Sequence, residues 1–216
     1  MHQTNIGRFI RASSISDAWH RGVNLIWSSG EQIVDERGSH IKELMNLEIV
    51  IEKPFEDMIL EGTSWNKERL EDYAKQLISG ENPQGFEYTY GQRLRDYGEG
   101  IDQIRYAIDK LKANPSSRRA IAITWIPTVD TKVDEVPCMM LTDFKIRDGR
   151  VHLTTLFRSH DFAGAYPANL YGLAMLLEYV AKEIGCEPGV ITTISISAHI
   201  YEHDWDRIEH LLGTPQ

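Results

Sequence analysis

Only two cysteines, Cys138 and Cys186, occur in 216 residues. That is too few for a disulfide framework or a four-thiolate zinc site. A chain that needs neither is expected in a reducing compartment, with cytoplasm as the default. Basic charge is also short, since 23 Lys and Arg stand against 32 Asp and Glu and leave a net charge of −9. This excludes a general nucleic-acid coat and a polybasic membrane binder, although a few arginines can still build a positive pocket within an acidic surface. No stretch approaches the roughly 20 apolar residues that a membrane span requires. Residues 1–16 contain Arg8 and Arg11 but no apolar core, so no secretory signal is expected there. Repeats and low-complexity tracts are absent. So are the GxxxxGK loop and the GxGxxG fingerprint, which removes nucleoside triphosphatase and dinucleotide readings.

What is present reads as one folded domain over residues 1–216, with 42% hydrophobic and 25% charged residues. Asp17–Ser29 is predicted helical, with Trp19, Val23 and Ile26 on one stripe and Ser16 as N-cap. Leu47–Ile51 reads as a strand stopped by Pro54, and Lys67–Ile78 as a helix ended by Gly80-Glu81-Asn82-Pro83. Ile101, Ile104, Ile108 and Leu111 predict an amphipathic helix over Ile101–Lys112, followed by a strand over Ala120–Ile126. Leu141–Arg158 reads as a hairpin turning at Asp148-Gly149, where positive φ angles are required. The stripe Leu170, Leu173, Leu177, Val180, Ile184 predicts a central helix, Val190–Ser197 a strand, and Trp205–Leu212 a closing helix. Elements without a strict βαβ rhythm favour α+β: a large mixed sheet with flanking helices.

Four chemistry-bearing segments follow in order. Pro115-Ser116-Ser117-Arg118-Arg119 joins a helix to a strand, and Pro137-Cys138 opens the hairpin. Arg158-Ser159-His160-Asp161 closes it, and Pro167-Ala168-Asn169 begins the central helix. Each has an ordinary explanation alone: exposed arginines, a small buried cysteine, a helix cap, polar residues leaving a sheet.

Their joint order, with Trp125, Phe144 and Ala198-His199-Ile200-Tyr201, resembles the thymidylate synthase family, which includes pyrimidine-nucleotide hydroxymethylases. The resemblance runs from about Asp17 to Asp204 and is densest from Ser117 to Tyr201. It implies a thymidylate synthase-like fold whose sheet forms a homodimer interface. By that resemblance Cys138 is the nucleophile that adds to C6 of a uracil ring. A free thiol has a pKa of about 8.5 and needs nearby positive charge to ionise, and Arg158 is the family arginine beside it. Arg158 and Ser159 would bind the phosphate of a pyrimidine deoxynucleotide, as planar guanidinium groups suit a near-dianion. Arg37 resembles the loop arginine that closes over that phosphate, and Arg118 and Arg119 the pair donated across the dimer. Asn169 would read the pyrimidine edge, its carboxamide complementing O4 and N3–H of uracil. His199 and Tyr201 would hold the deoxyribose 3′-hydroxyl, Asp161 the pterin ring, and Tyr90 the water network near C5. The implied reaction converts dUMP to dTMP with 5,10-methylenetetrahydrofolate or a related tetrahydropterin, and without metal.

Departures concentrate on the cofactor side. Met139 stands where the family has histidine, Phe157 where it has glutamine, and Ala168 where an aromatic packs on the folate. A hydroxymethyl product is therefore the nearest rival. His199-Ile200-Tyr201-Glu202-His203 also fits the H-x-x-E-H pattern of zinc hydrolases, which demands both histidines on one helical face. It follows an alternating strand, and a coincidence is the expectation. A non-catalytic nucleotide-binding relative is a third reading, against which stands the retained Cys138.

Overall fold

Period-two alternation of apolar residues organises the protein around one mixed sheet. The computed structural model describes residues 6–82, 85–98 and 100–213, so Pro83 of the predicted break lies outside them. Among the described residues the strand order is β1 (Ile6–Ala12), β3 (His40–Ile51), β7 (Glu187–Tyr201), β6 (Arg150–Asp161), β5 (Met139–Arg147) and β4 (Ile121–Ile123), with β2 (Glu31–Val34) beside β3. The β1–β3 and β6–β7 pairs are parallel and the remaining neighbours antiparallel. The fold is α+β, as the element pattern predicts.

Register separates the two faces. Ile10, Ile49, Thr193, Thr155, Thr142 and Ala122 lie directly opposite one another across six strands, and all are buried. One residue earlier or later the matching row is Phe9, Glu48, Ile194, Leu156, Leu141 and Ile123. On that face Phe9 stays 56% exposed and Ile123 38%. The buried face carries the helices, because α1 (Ile15–Ser29), α4 (Gln103–Ala113) and α6 (Tyr166–Ile184) pack against it. The remaining helices are α2 (Lys67–Ser79), α3 (Tyr90–Arg95), the single turn α5 (Pro127–Asp130) and α7 (Trp205–Gly213).

α6 is buried on most sides, which explains why its charged residues, Glu178, Lys182 and Glu183, are confined to its second half. Pro167 sits in its first turn, where a missing N–H costs nothing, and Gly185 ends it at φ 84°. Each of its fully buried leucines contributes about 1.5–3 kcal/mol. The hairpin turns at Asp148 (φ 51°) and Gly149 (φ 73°), as expected from Asp-Gly.

Several predicted boundaries move, each for a local reason. Ser14, not Ser16, caps α1, since its extended backbone lets Oγ accept from the Asp17 N–H at 3.2 Å. Ile101 is 54% exposed and outside α4, which Asp102 caps by accepting from the Arg105 N–H at 2.9 Å. The predicted strand over Ala120–Ile126 shortens to β4, because the Gln103 side chain bonds both the N–H and the carbonyl of Ile123 and Pro127 then starts a turn. β7 runs on to Tyr201, so His199 and Tyr201 belong to the sheet. The strands β1 and β2 and the helices α3 and α5 had no matching expectation.

Candidate active site

Parallel strands β6 and β7 end on the same side, and their last residues open into a cleft of about 330 Å³. Ser159, His160 and Asp161 come from β6, and His199 and Tyr201 from β7. Ala165 and Asn169 come from the start of α6, Tyr73 and Gln76 from α2, and Thr89 and Tyr90 from the start of α3. Cys138, immediately before β5, and Phe86 and Tyr88, before α3, complete the wall. A register shift between Met139 and Leu141 bends β5 there, a device that re-aims chain at a site.

The thiol is held by an arginine that first holds the backbone. Arg158 Nε donates to the Pro137 carbonyl and Nη2 to the Val136 carbonyl, both at 3.0 Å. Nη2 also lies 3.8 Å from Cys138 Sγ, and the Arg158 N–H donates to the Cys138 carbonyl at 2.8 Å. Tyr88 Oη donates to the same Val136 carbonyl at 3.1 Å. Burial pushes the Cys138 thiol above its ordinary pKa, and Glu135 adds to the rise. Arg158, a hydrogen bond from Ser159 and Arg37 pull the other way without cancelling it. The activation expected from Arg158 is therefore present but outweighed by desolvation in the isolated chain.

The other predicted residues divide by what they touch. Asn169 is 6% exposed; its Oδ1 accepts from Tyr73 Oη at 2.6 Å and its Nδ2 lies 3.3 Å from His160 Nε2. Asp161 Oδ1 accepts from the N–H groups of Ala163 and Gly164 at 3.0 and 2.9 Å, which shapes the turn into α6. A Cβ at Gly164 would fall 2.3 Å from Asp161 Oδ2, so a side chain here would displace the Asp161 carboxylate. His199 is paired with Asp161 in register and stacks edge-on against Tyr201, with ring centroids 4.9 Å apart. Burial lowers the pKa of His199, with Asp161 opposing, and burial raises that of Tyr201. Tyr90 Oη accepts from the Met139 N–H at 3.3 Å, and burial holds its phenol well above the usual range.

The arginines outside the cleft are arranged differently. Arg37 stands in the turn between β2 and β3, pairs with Glu135 at 2.8 Å, and is near enough to pull on the thiol. Arg118 and Arg119 are exposed between α4 and β4, and this chain does not bring them to its own cleft.

Sequence reasoning missed Tyr73, Gln76, Phe86, Tyr88 and Thr89 as cleft residues. Spacing aligns Tyr73 with Leu70 and Leu77 on the inner stripe of its helix, which marks a core face and no site; it reaches the cleft because α2 packs on α6. His160 stood inside the quoted Arg158–Asp161 segment without a role. A second, larger hollow of about 680 Å³ adjoins the cleft and shares Tyr73, Gln76 and Phe86 with it; Trp65, Arg69 and Lys75 are among its remaining walls.

Among the described residues, no three His, Cys, Asp or Glu side chains gather as a metal site. His199 lies in β7 while Glu202 and His203 lie in the 3₁₀ turn after it, so the two histidines do not share a helical face. No described helix is long and apolar enough to cross a membrane.

The sequence profile of the thymidylate synthase family matches residues 33–215. The chain belongs to the thymidylate synthase family. A relative from Methanosarcina acetivorans, named "Putative thymidylate synthase", is 70% identical over 96% of this chain and 95% of its own length. Same-named relatives from Methanothermobacter thermautotrophicus and Methanocaldococcus jannaschii are 46% and 38% identical, over 94% and 93% of this chain and 97% and 94% of theirs. Membership in the thymidylate synthase family supports a one-carbon transferase acting on a nucleotide.

Proposed function

We propose that the protein methylates dUMP to dTMP, with Cys138 as nucleophile and a methylene-tetrahydropterin as second substrate. One observation carries this reading: a cysteine stands 3.8 Å from an arginine at the wall of a cleft whose α6 side presents a carboxamide. A pure nucleotide binder has no use for that thiol.

In this reading Cys138 Sγ adds to C6, an electron-poor alkene carbon conjugated to the C4 carbonyl. Charge develops on O4, where an N–H of Asn169 stabilises it. C5 thereby becomes nucleophilic and bonds the donor's one-carbon unit; loss of the C5 proton then expels the pterin nitrogen, and hydride from the pterin reduces the exocyclic methylene as Cys138 Sγ leaves C6. Arg158 and Ser159 hold the phosphate. Arg37 exchanges Glu135 for it at little cost, because their pair is exposed on both sides. His199 and Tyr201, near the end of β7, hold the 3′-hydroxyl.

The larger hollow suits the second substrate. Trp65 and Phe86 offer flat faces, Arg69 lies 4.7 Å over the Trp65 ring, and Lys75 on the same wall is paired with Asp72 at 3.3 Å. Bound there, a methylene-tetrahydropterin supplies the one-carbon unit and, for a methyl product, the hydride. Asp161, between cleft and turn, is the carboxylate placed to bond its ring.

A dimer completes the site in this account. The half-exposed row through Phe9, Glu48, Ile194, Leu156, Leu141 and Ile123 is apolar but for Glu48, and Arg118 and Arg119 lie in the segment that leads into the edge strand β4. A two-fold contact through this face carries those arginines to the partner's phosphate. Mass analysis of dUMP and dCMP incubated with the protein and methylenetetrahydrofolate tests the proposal. A gain of a methyl group on dUMP supports it. A hydroxymethyl product replaces it with the sister reaction, and no C5-tritium release overturns both.

A further inference from the structure

Asn169 has four hydrogen-bonding positions, two N–H groups on one end of its carboxamide and two lone pairs on the other. The protein occupies one of each. Tyr73 Oη reaches Oδ1 at 2.6 Å, and His160 Nε2 lies 3.3 Å from Nδ2. One donor and one acceptor remain for a ligand in the cleft that Asn169 lines. Their order along the edge is what distinguishes the two pyrimidines. Uracil offers an acceptor at position 4 and a donor at N3, cytosine the reverse. Rotating the carboxamide by half a turn would exchange them.

In the orientation of the structure the surroundings form a chain with one direction. Burial raises the pKa of Tyr73, so its hydroxyl keeps its proton and donates to Oδ1. Burial, with a smaller push from His199, holds His160 well below the ordinary histidine pKa. A neutral imidazole has one N–H and one bare nitrogen. With Nδ2–H donating to it, Nε2 is the bare one, and the Nδ1–H then points to Ser195 Oγ at 2.9 Å. The sequence Tyr73, Asn169, His160, Ser195 is thus donor to acceptor at every step.

Each member is fixed by packing as well. His160 stacks on Phe157 with ring centroids 3.8 Å apart and meets the edge of Phe162 at 5.3 Å. Tyr73 packs edge-on to Trp65, and a Cβ at Gly172 of α6 would fall 2.9 Å from its ring. Gly172 therefore lets the α2 tyrosine lie close enough to reach Asn169. Ser195 is fully buried.

We propose that Tyr73 and His160, with Ser195 behind it, are positioning residues that hold the Asn169 carboxamide in one orientation and so set which pyrimidine the cleft accepts. The inference rests on the pyrimidine-nucleotide reading above and deepens it. None of the three needs to touch the base. Their effect is on the ratio between two ligands, which a merely structural role would leave unchanged.

The test compares dUMP and dCMP affinity in the full-length protein and its variants. Tyr73→Phe keeps the ring and removes the donor; His160→Phe keeps a stacked ring and removes the acceptor. Each lowers the preference for the better nucleotide by about tenfold, the value of one hydrogen bond at this scale. His160→Gln, whose carbonyl can accept from Nδ2, restores most of it. Loss of both affinities in parallel, with the ratio unchanged, overturns the inference while leaving the pyrimidine reading intact. Wild-type preference for dCMP, with the ratio still moved by the variants, upholds the positioning role and overturns the uracil assignment. Wild-type protein that binds neither nucleotide overturns both. Nitrogen-15 spectra of the wild-type histidines give a check that no variant need survive: His160 is expected protonated at Nδ1 and bare at Nε2. The opposite tautomer refutes the proposed direction.

Discussion

Two sets of buried polar side chains sit on the same strands and behave differently. At the cleft end of β6 and β7, His160 and Ser195 are joined to each other and, through Asn169, to Tyr73. Further along the sheet, Thr142 and Thr155 are fully buried on adjacent strands, yet neither hydroxyl has a hydrogen-bond partner. Burial alone therefore does not mark function here. In our proposal connection does: the cleft-end groups form a directed chain that passes through the Asn169 amide at the cleft, whereas the threonine hydroxyls are joined to nothing. Substitutions at the cleft end should change chemistry more than stability, and substitutions in the threonine row the reverse.

The largest effect is expected at Cys138. Cys138→Ala should lower turnover by at least about a thousandfold, because the covalent route has no substitute nucleophile. dUMP binding, followed by calorimetry, should persist and melting should change little. Full activity in this variant would remove the chemical half of the contrast.

Arg158→Gln comes next, on the order of a hundredfold in turnover, since it removes both a charge-assisted anchor and the clamp on residues 136–138. The pH sign is fixed by the cause. The reactive thiolate exists above the thiol pKa, which burial already raises and Arg158 restrains. Removing Arg158 moves the midpoint of Cys138 alkylation further up in pH, and Glu135→Gln moves it down. Iodoacetamide labelling across pH, read by mass, checks both directions.

A smaller signal tests whether the cleft end is finished by a second copy. Arg119→Ala and Cys138→Ala proteins, each nearly inactive, should recover activity when refolded together. At equal mixing half the dimers are hybrid and each has one intact site, so recovery on the order of a quarter of wild type is expected. No recovery, with hybrid dimers demonstrated by mass, would place Arg119 outside the site.

The strands and helices that surround the cleft were legible because their signals are local. The stripe of α6 and the Asp148-Gly149 turn depend on residues a few positions apart, and both stand where expected. The motif residues Cys138, Ser159, Asp161, Asn169, His199, Tyr201 and Tyr90 were named in advance and meet at one cleft. What sequence could not show is non-local. Tyr73 becomes a site residue through the packing of α2 on α6, with Gly172 at the contact. The direction of the Cys138 shift depends on how deeply the thiol is buried, which no motif encodes. Likewise β2 escaped notice because all four of its residues are exposed, leaving no alternation to read.

The smallest effect belongs to the threonine row. Thr155 is fully buried and its hydroxyl lacks a hydrogen-bond partner, so folding strips water from that oxygen without replacement. Thr155→Val keeps the β-branched shape and strand preference while removing the desolvated group. Polar burial without compensation costs about 1–3 kcal/mol in proteins, and new van der Waals crowding by a methyl group offsets part of the gain. The expected result is a stabilisation of up to about 1 kcal/mol in chemical denaturation, with kcat unchanged. Ser195→Ala, on β7 near Thr193, removes an oxygen of the same kind from the connected set and should instead narrow the preference between dUMP and dCMP. If the two substitutions behaved alike, connectivity would not be what separates the cleft end from the middle of the sheet.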